Sequence, residues 1–257
     1  MPPHRPIYLA TVCLERNRWA SRQPSFPVSA WLGRWAADGF DGLELWENHY
    51  LLADPAEQAR LQQQAAPLAI FNTYAGFASS PAESQQRAAA AAALTRLQAA
   101  AVKYNLGPDP ARLAEYRANL LAWADQLPPG CRLLCECHPG TVLEKPQAAA
   151  AFFAELDPQR FATIAHVNAD PTALEPWLVA LGSRVQHLHL QLREAASDPA
   201  TLSGQESLAA VAALLQAHRF QGSASIEFTR GIGRQEQIET LYTHARADLA
   251  WARAHLG

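Results

Sequence analysis

The chain has 257 residues, of which 49% are hydrophobic and 18% charged, with a net charge of −3. This balance excludes a disordered chain, which needs low hydrophobicity and high net charge. It also gives no overall electrostatic reason to bind a polyanion. No run of ~20 apolar residues marks a membrane span, and the start, Met1-Pro2-Pro3-His4-Arg5-Pro6, lacks the apolar stretch of a signal peptide. The four cysteines, Cys13, Cys131, Cys135 and Cys137, are too sparse for a disulfide scaffold and read as small buried residues. The expectation is a cytoplasmic protein without nucleic-acid or membrane partners, a monomer or a homodimer.

A short β-rich apolar run followed by a helix signal recurs about eight times. Residues 7–14 read as the first strand, and 28–38 as a helix stopped by Gly39. Residues 42–46 form the second strand, and Asp54-Pro55-Ala56-Glu57 opens a helix with an N-cap, a proline at N1 and a glutamate at N3. Residues 68–74 are the third strand, and Ser80-Pro81-Ala82-Glu83 repeats the helix opening before an alanine-rich stretch. Residues 102–106 are the fourth strand, with Asp109-Pro110 starting the next helix. Residues 132–138 are the fifth, followed by a helix over 146–156. Residues 161–169 are the sixth, followed by a capping box at Thr172-Ala173-Leu174-Glu175 and a stop at Gly182. Residues 185–190 are the seventh, with Ser203-Gly204-Gln205-Glu206 capping its helix. Residues 224–228 are the eighth, and the last helix starts near Gln235. Eight units averaging about 32 residues suit βα repeats. They point to an α/β fold, a single (β/α)8 TIM barrel over residues 1–257. The turn after the first strand, Leu14-Glu15-Arg16-Asn17-Arg18, lacks the glycines expected of a dinucleotide-binding sheet.

In such a barrel, side chains alternate between the interior and the helix layer, and chemistry gathers at the C-terminal ends of the strands. Strand parity puts Glu136 and His138 on one face of the fifth strand and His166, Asn168 and Asp170 on one face of the sixth. It likewise groups His187, His189 and Gln191 on the seventh, and Ser225, Glu227 and Thr229 on the eighth. Near the outlets stand Glu136, Asp170, His189 and Glu227. Three carboxylates together repel one another unless a cation joins them. This oxygen-rich set suits one divalent metal ion, Mn²⁺, Mg²⁺, Co²⁺ or Zn²⁺.

At these residues the sequence resembles the xylose isomerase-like TIM-barrel superfamily, and most of all its sugar phosphate isomerase/epimerase branch, over essentially the whole chain. The carrying segments are Gly39-Phe40-Asp41-Gly42-Leu43-Glu44-Leu45-Trp46, Cys135-Glu136-Cys137-His138-Pro139-Gly140-Thr141, Val167-Asn168-Ala169-Asp170-Pro171, Val185-Gln186-His187-Leu188-His189-Leu190 and Ser225-Ile226-Glu227-Phe228. The resemblance implies the same four metal ligands. It further implies isomerisation or epimerisation of a sugar or related hydroxy-carbonyl compound through a metal-bound enediolate, with Glu136 and Glu227 as acid and base. His138 is placed to bond a substrate oxygen or to support a ligand carboxylate. Trp46 and Tyr74 suit an apolar wall. His49, Asn105, Arg193 and Arg230 belong near the mouth, and either arginine is suited to a phosphate or carboxylate.

Three positions depart from the family pattern, with Ala173, Gln191 and Leu192 standing where polar or charged groups are usual. These losses keep two alternatives open. One is a metal- or metabolite-binding barrel without isomerase activity. The other is a dehydratase or lyase, which starts from the same proton abstraction. An apurinic endonuclease on this barrel is disfavoured by the thin supply of further ligands at the second to fourth strands and by the lack of basic excess.

Overall fold

The computed structural model describes residues 5–15, 21–63, 68–168, 170–192, 205–229 and 237–256. Eight parallel strands close into a barrel in sequence order. They are β1 (Ile7–Ala10), β2 (Gly42–Trp46), β3 (Leu68–Asn72), β4 (Ala101–Tyr104), β5 (Arg132–Glu136), β6 (Phe161–Val167), β7 (Val185–Leu190) and β8 (Ser223–Ile226). The main helices follow in turn: α1 (Leu32–Ala37), α2 (Pro55–Gln62), α3 (Pro81–Leu97), α4 (Leu113–Ala124), α5 (Pro146–Phe153), α6 (Pro171–Leu181), α7 (Gln205–Ala217) and α8 (Ile238–Leu256). The expected (β/α)8 barrel is therefore the observed one. Among the described residues, no helix is long and apolar enough to cross a membrane.

The helix starts follow from their caps. The Asp54 side chain accepts the Glu57 N–H ahead of α2, and that of Ser80 accepts the Glu83 N–H ahead of α3. In both, a proline at the first helical position gives up no hydrogen bond the helix would have used. The strands are buried on both faces, which accounts for their near-continuous apolar character. Their outward residues, such as Leu133, Cys135, Val102 and Leu188, join Trp35, Trp123 and Phe153 in the main core between barrel and helices. All four cysteines are free and buried.

The barrel interior is divided. On the β3 to β6 side an apolar group, Ile70, Ala101, Leu134, Ala162 and Ile164, is in contact, with Asn72, Lys103 and Glu136 further along the same strands. On the opposite side it carries Glu44, His187, His189 and Ser225, all fully buried.

Several boundaries differ from the sequence expectation. The first strand stops at Ala10, because the Thr11 hydroxyl, not a backbone carbonyl, accepts the Trp46 N–H at 2.9 Å. The chain then turns into a short 3-10 segment, Thr11–Leu14. The sixth strand stops at Val167, and the Asn168 side chain accepts the Asp170 N–H at 3.0 Å. This local turn takes the chain out of strand parity. The cap of α6 is accordingly Asp170, with Pro171 at N1, rather than Thr172. The fifth strand ends at Glu136 and the last helix begins at Ile238. Ser203, Gly204 and Gln235, expected near helix starts, lie outside the described residues, as do Arg193 and Arg230.

Candidate metal centre

Four side chains converge at the C-terminal mouth. Glu136 comes from the end of β5, His166 from β6, His189 from β7, and Glu227 from the residue after β8. One ligand atom from each lies within 4.8 Å of all the others. His166 Nε2 is 2.9 Å from Glu136 Oε1 and 3.9 Å from Glu227 Oε2. His189 Nδ1 is 3.1 Å from Glu227 Oε1 and 3.4 Å from Glu136 Oε1. Buried between two carboxylate oxygens, that nitrogen still has no hydrogen-bond partner with acceptable geometry. An imidazole nitrogen placed between two carboxylates is suited to share a cation with them. The donor set, two carboxylates and two imidazoles, fits a divalent metal ion.

Three of these side chains are also held from behind. Glu136 Oε2 faces the Lys103 ammonium at 2.7 Å and accepts from Asn105 Nδ2 at 2.9 Å. The amide oxygen of Asn105 accepts from Lys103 at 2.8 Å. Glu227 Oε2 accepts from Gln191 Nε2 at 2.8 Å. His189 Nε2 lies 3.1 Å from Glu44 Oε2, and Glu44 Oε1 accepts from Asn72 Nδ2 at 2.7 Å. His187 Nε2 is 3.4 Å from the same Glu44 oxygen, and its ring nitrogens meet the Ser223 and Ser225 hydroxyls at 2.8 and 2.9 Å. Carboxylate support behind a ligating histidine fixes its tautomer and raises its basicity.

The electrostatics follow from burial and pairing. Burial alone would raise the pKa of Glu136, but Lys103, His166 and His189 outweigh it and hold the carboxyl well below the usual range. Glu44 is likewise driven down against burial by His189 and His187. Burial would lower Lys103, but Glu136 holds it up and the amine stays charged. It sits 4.0 Å from the centre of the Tyr74 ring, a favourable cation–π arrangement. Burial pushes the Tyr74 phenol up to about 12. With no cation bound, His189 is raised, because Glu227 and Glu44 outweigh its burial.

Of the four expected ligands, the structure brings together Glu136, His189 and Glu227. It does not bring Asp170 to them. The Asp170 side chain is exposed and caps α6 by accepting the Thr172 N–H and hydroxyl at 2.9 and 2.6 Å. His166 stands in the cluster instead, level in register with His189. Asn105 lies at the site, bound to Glu136. Tyr74 is in contact with Trp46, Ala10, Val12 and Phe228 at the mouth. His138 is exposed, with Nδ1 2.7 Å from the Pro139 carbonyl and its ring edge-to-face with His166 at 6.5 Å. His49 is buried beside the C-terminal ends of β1 and β2, with Nδ1 2.9 Å from the Thr11 hydroxyl and Nε2 2.7 Å from Glu15. Its ring meets Trp46 edge-on.

Lys103, Glu44, Asn72 and His166 are the site residues that the sequence reading passed over. Parity places Lys103 on the same face of β4 as Asn105, a signal available without the structure.

No family model matches the sequence, and no curated protein matches it at a significant level. Solved structures do match in fold. A D-psicose 3-epimerase crystallised in the presence of D-fructose superposes with a TM-score of 0.74 at 16% identity, covering 98% of this chain and 99% of that one. A xylose isomerase-like TIM barrel protein from Mycobacterium smegmatis, in complex with magnesium, gives 0.66 at 14% identity over 98% of each chain. The fold is that of the xylose isomerase-like TIM barrels. A probable 3-DHS dehydratase, AsbF, from Bacillus anthracis gives 0.65 at 13% identity, covering 96% of this chain and 99% of that one.

Two substitutions separate ligand from cap. His166→Ala is expected to lower metal affinity at least ~10-fold, the scale on which ligand support acts. Asp170→Ala is expected to leave metal content unchanged and cost about 1 kcal/mol of stability through the lost cap. Metal analysis and urea unfolding read both. A third test concerns the buried ion pair. Lys103→Met strands the Glu136 charge and is expected to destabilise the fold by roughly 3–5 kcal/mol. Adding Glu136→Gln should restore much of that loss in the same unfolding assay.

Proposed function

We propose that this protein is a divalent-metal-dependent isomerase or epimerase acting on a sugar or related hydroxy-carbonyl compound. The observation that carries the reading is the convergence of Glu136, His166, His189 and Glu227 at the mouth of the barrel, with His189 Nδ1 unbonded between the two carboxylates. The fold neighbours add support, since they include a D-psicose 3-epimerase and a magnesium-bound barrel. Two imidazoles in the donor set favour Mn²⁺, Co²⁺ or Zn²⁺ over Mg²⁺.

When bound, the cation supplies Lewis-acid stabilisation of the charge that develops on a substrate carbonyl oxygen. The remaining work falls to the chain. Glu136 and Glu227 approach the site from different strands and form the acid–base pair in this reading. Their surroundings are unequal. Lys103 holds Glu136 as an anion, whereas Glu227 faces the neutral amide of Gln191. Glu227 therefore takes the proton from the carbon beside the carbonyl, with Gln191 orienting its second oxygen. Glu136, taking a proton from the Lys103 ammonium 2.7 Å away, delivers it to the opposite face to give the epimer, and exchange with solvent returns Lys103 and Glu227 to their starting states. His138 at the rim bonds a substrate oxygen, and Trp46 with Tyr74 forms the apolar wall. Arg193, outside the described residues, is assigned a phosphate or carboxylate of the substrate.

One observation favours a second reading, a binding barrel without isomerase activity. Each of the four carboxylate oxygens of Glu136 and Glu227 already faces a nitrogen within 3.1 Å. A dehydratase would begin with the same abstraction but release water.

Solvent deuterium exchange distinguishes these readings. In D₂O, the metal-loaded protein should place deuterium beside the carbonyl of at least one ketose or hydroxy-keto acid, followed by NMR. Glu227→Gln should slow exchange about 10²- to 10⁴-fold. Absence of exchange with every compound, while metal remains bound, would select the binding barrel. Exchange accompanied by loss of water would select the dehydratase.

A further inference from the structure

The opposite end of the barrel holds a cavity of about 690 Å³, within the size range of small-molecule sites. It lies where strands begin: Tyr8 of β1, Arg132 at the start of β5, Gln186 of β7 and Ser223 of β8 all line it. Its existence depends on close backbone packing beside it. A Cβ on Gly222 would fall 2.2 Å from the Gln186 carbonyl oxygen, so only glycine lets β8 enter at that point.

The charge of this lining is one-sided. Arg132 and Arg219 both face the cavity, and neither guanidinium has an ion pair or side-chain hydrogen bond among the described residues. His218 and the Ser183 hydroxyl add further donors, and none of the described lining residues is a carboxylate. Asp41, whose charge reaches Tyr8, is engaged by Arg253 at 2.6 Å and by the Ile7 N–H at 2.7 Å. Unpaired arginines on a concave surface suit an oxyanion with which they can form paired hydrogen bonds. Two other features describe the rest of the ligand. The Ser183 side chain is exposed at the lining, and its hydroxyl has no hydrogen-bond partner among the described residues. Phe220 and Leu178 supply apolar contact for a carbon skeleton.

From this combination we propose that the cavity at the N-terminal end of the barrel binds the phosphate ester of a small hydroxylated molecule, such as a sugar phosphate. The arginines hold the phosphate, and a hydroxyl of the ligand meets that of Ser183. This site stands apart from the metal centre and does not rest on the reading of the mouth.

Isothermal titration of the whole protein with glucose 6-phosphate, inorganic phosphate and glucose provides the test. Glucose 6-phosphate should bind more tightly than inorganic phosphate, and glucose should not bind at this site. The double variant Arg132→Ala, Arg219→Asn should weaken binding of the ester at least ~10-fold with an unchanged melting temperature. Asparagine is chosen at 219 because the backbone φ there is +52°. Ser183→Asp, which adds a carboxylate to the lining, should give the same loss and serves if the double variant does not fold. Unchanged affinity in these variants would place the ester elsewhere, at the mouth, and overturn the proposal. So would absence of binding, or inorganic phosphate binding as tightly as the ester.

Discussion

Three carboxylates, Glu44, Glu136 and Glu227, are buried inside one barrel, and their charge has to be answered within a few ångströms. Desolvating a single carboxylate costs several kcal/mol, recovered only by close opposite charge and full hydrogen bonding. The interior is arranged around this need. Lys103, itself fully buried, answers Glu136. Asn72 and Asn105 donate to Glu44 and Glu136, and Gln191 to Glu227. His187 and His189 both face Glu44. One lysine leaves two negative charges. The raised His189 takes a proton against one of them when no cation is bound. A divalent ion among neutral imidazoles brings the sum to zero and gives His189 Nδ1 the partner it otherwise lacks.

The barrel makes this concentration of charge tolerable by dividing its interior. The apolar half, from Ile70 round to Ile164, packs as an ordinary core. The polar side chains on β7, β8 and β2 form a chain of hydrogen bonds, with one 3.4 Å charge contact between His187 and Glu44, from Ser223 to His189. The chain links the two ends of the barrel. Strands, or for Glu227 the residue just after one, therefore carry the clustered groups, which favours accurate placement.

Much of this was legible in the sequence because alternation along a strand is a strict rule. It places Glu136, His189 and Glu227 toward one point, where their side chains do cluster, and it leaves Cys135 and Cys137 on the helix side, where they are buried in the main core. The rule failed where the strand itself ended. At Asn168 a side-chain hydrogen bond turns the chain, so Asp170 lost its inward position and His166 became the last inward residue. Asp-Pro-Thr is also a helix start, and that local role prevailed over the resemblance to a metal-binding segment. His49 was drawn inward by Glu15 and Thr11, partners whose approach depends on the turn after β1. Lys103 has the inward parity, but its positive charge does not itself suggest a metal ligand. A lysine on an inward strand position implies a buried carboxylate partner, since lone buried ammonium groups are rarely tolerated.

The proposed chemistry depends on one cation held by Glu136, His166, His189 and Glu227. Anomalous X-ray diffraction from crystals of the protein loaded with Mn²⁺, Co²⁺ or Zn²⁺ tests this most directly. One strong peak is predicted at the barrel mouth, within about 2.0–2.3 Å of a donor atom from each of the four residues. A peak ligated by Asp170 in place of His166, or none at the mouth after loading, would contradict it.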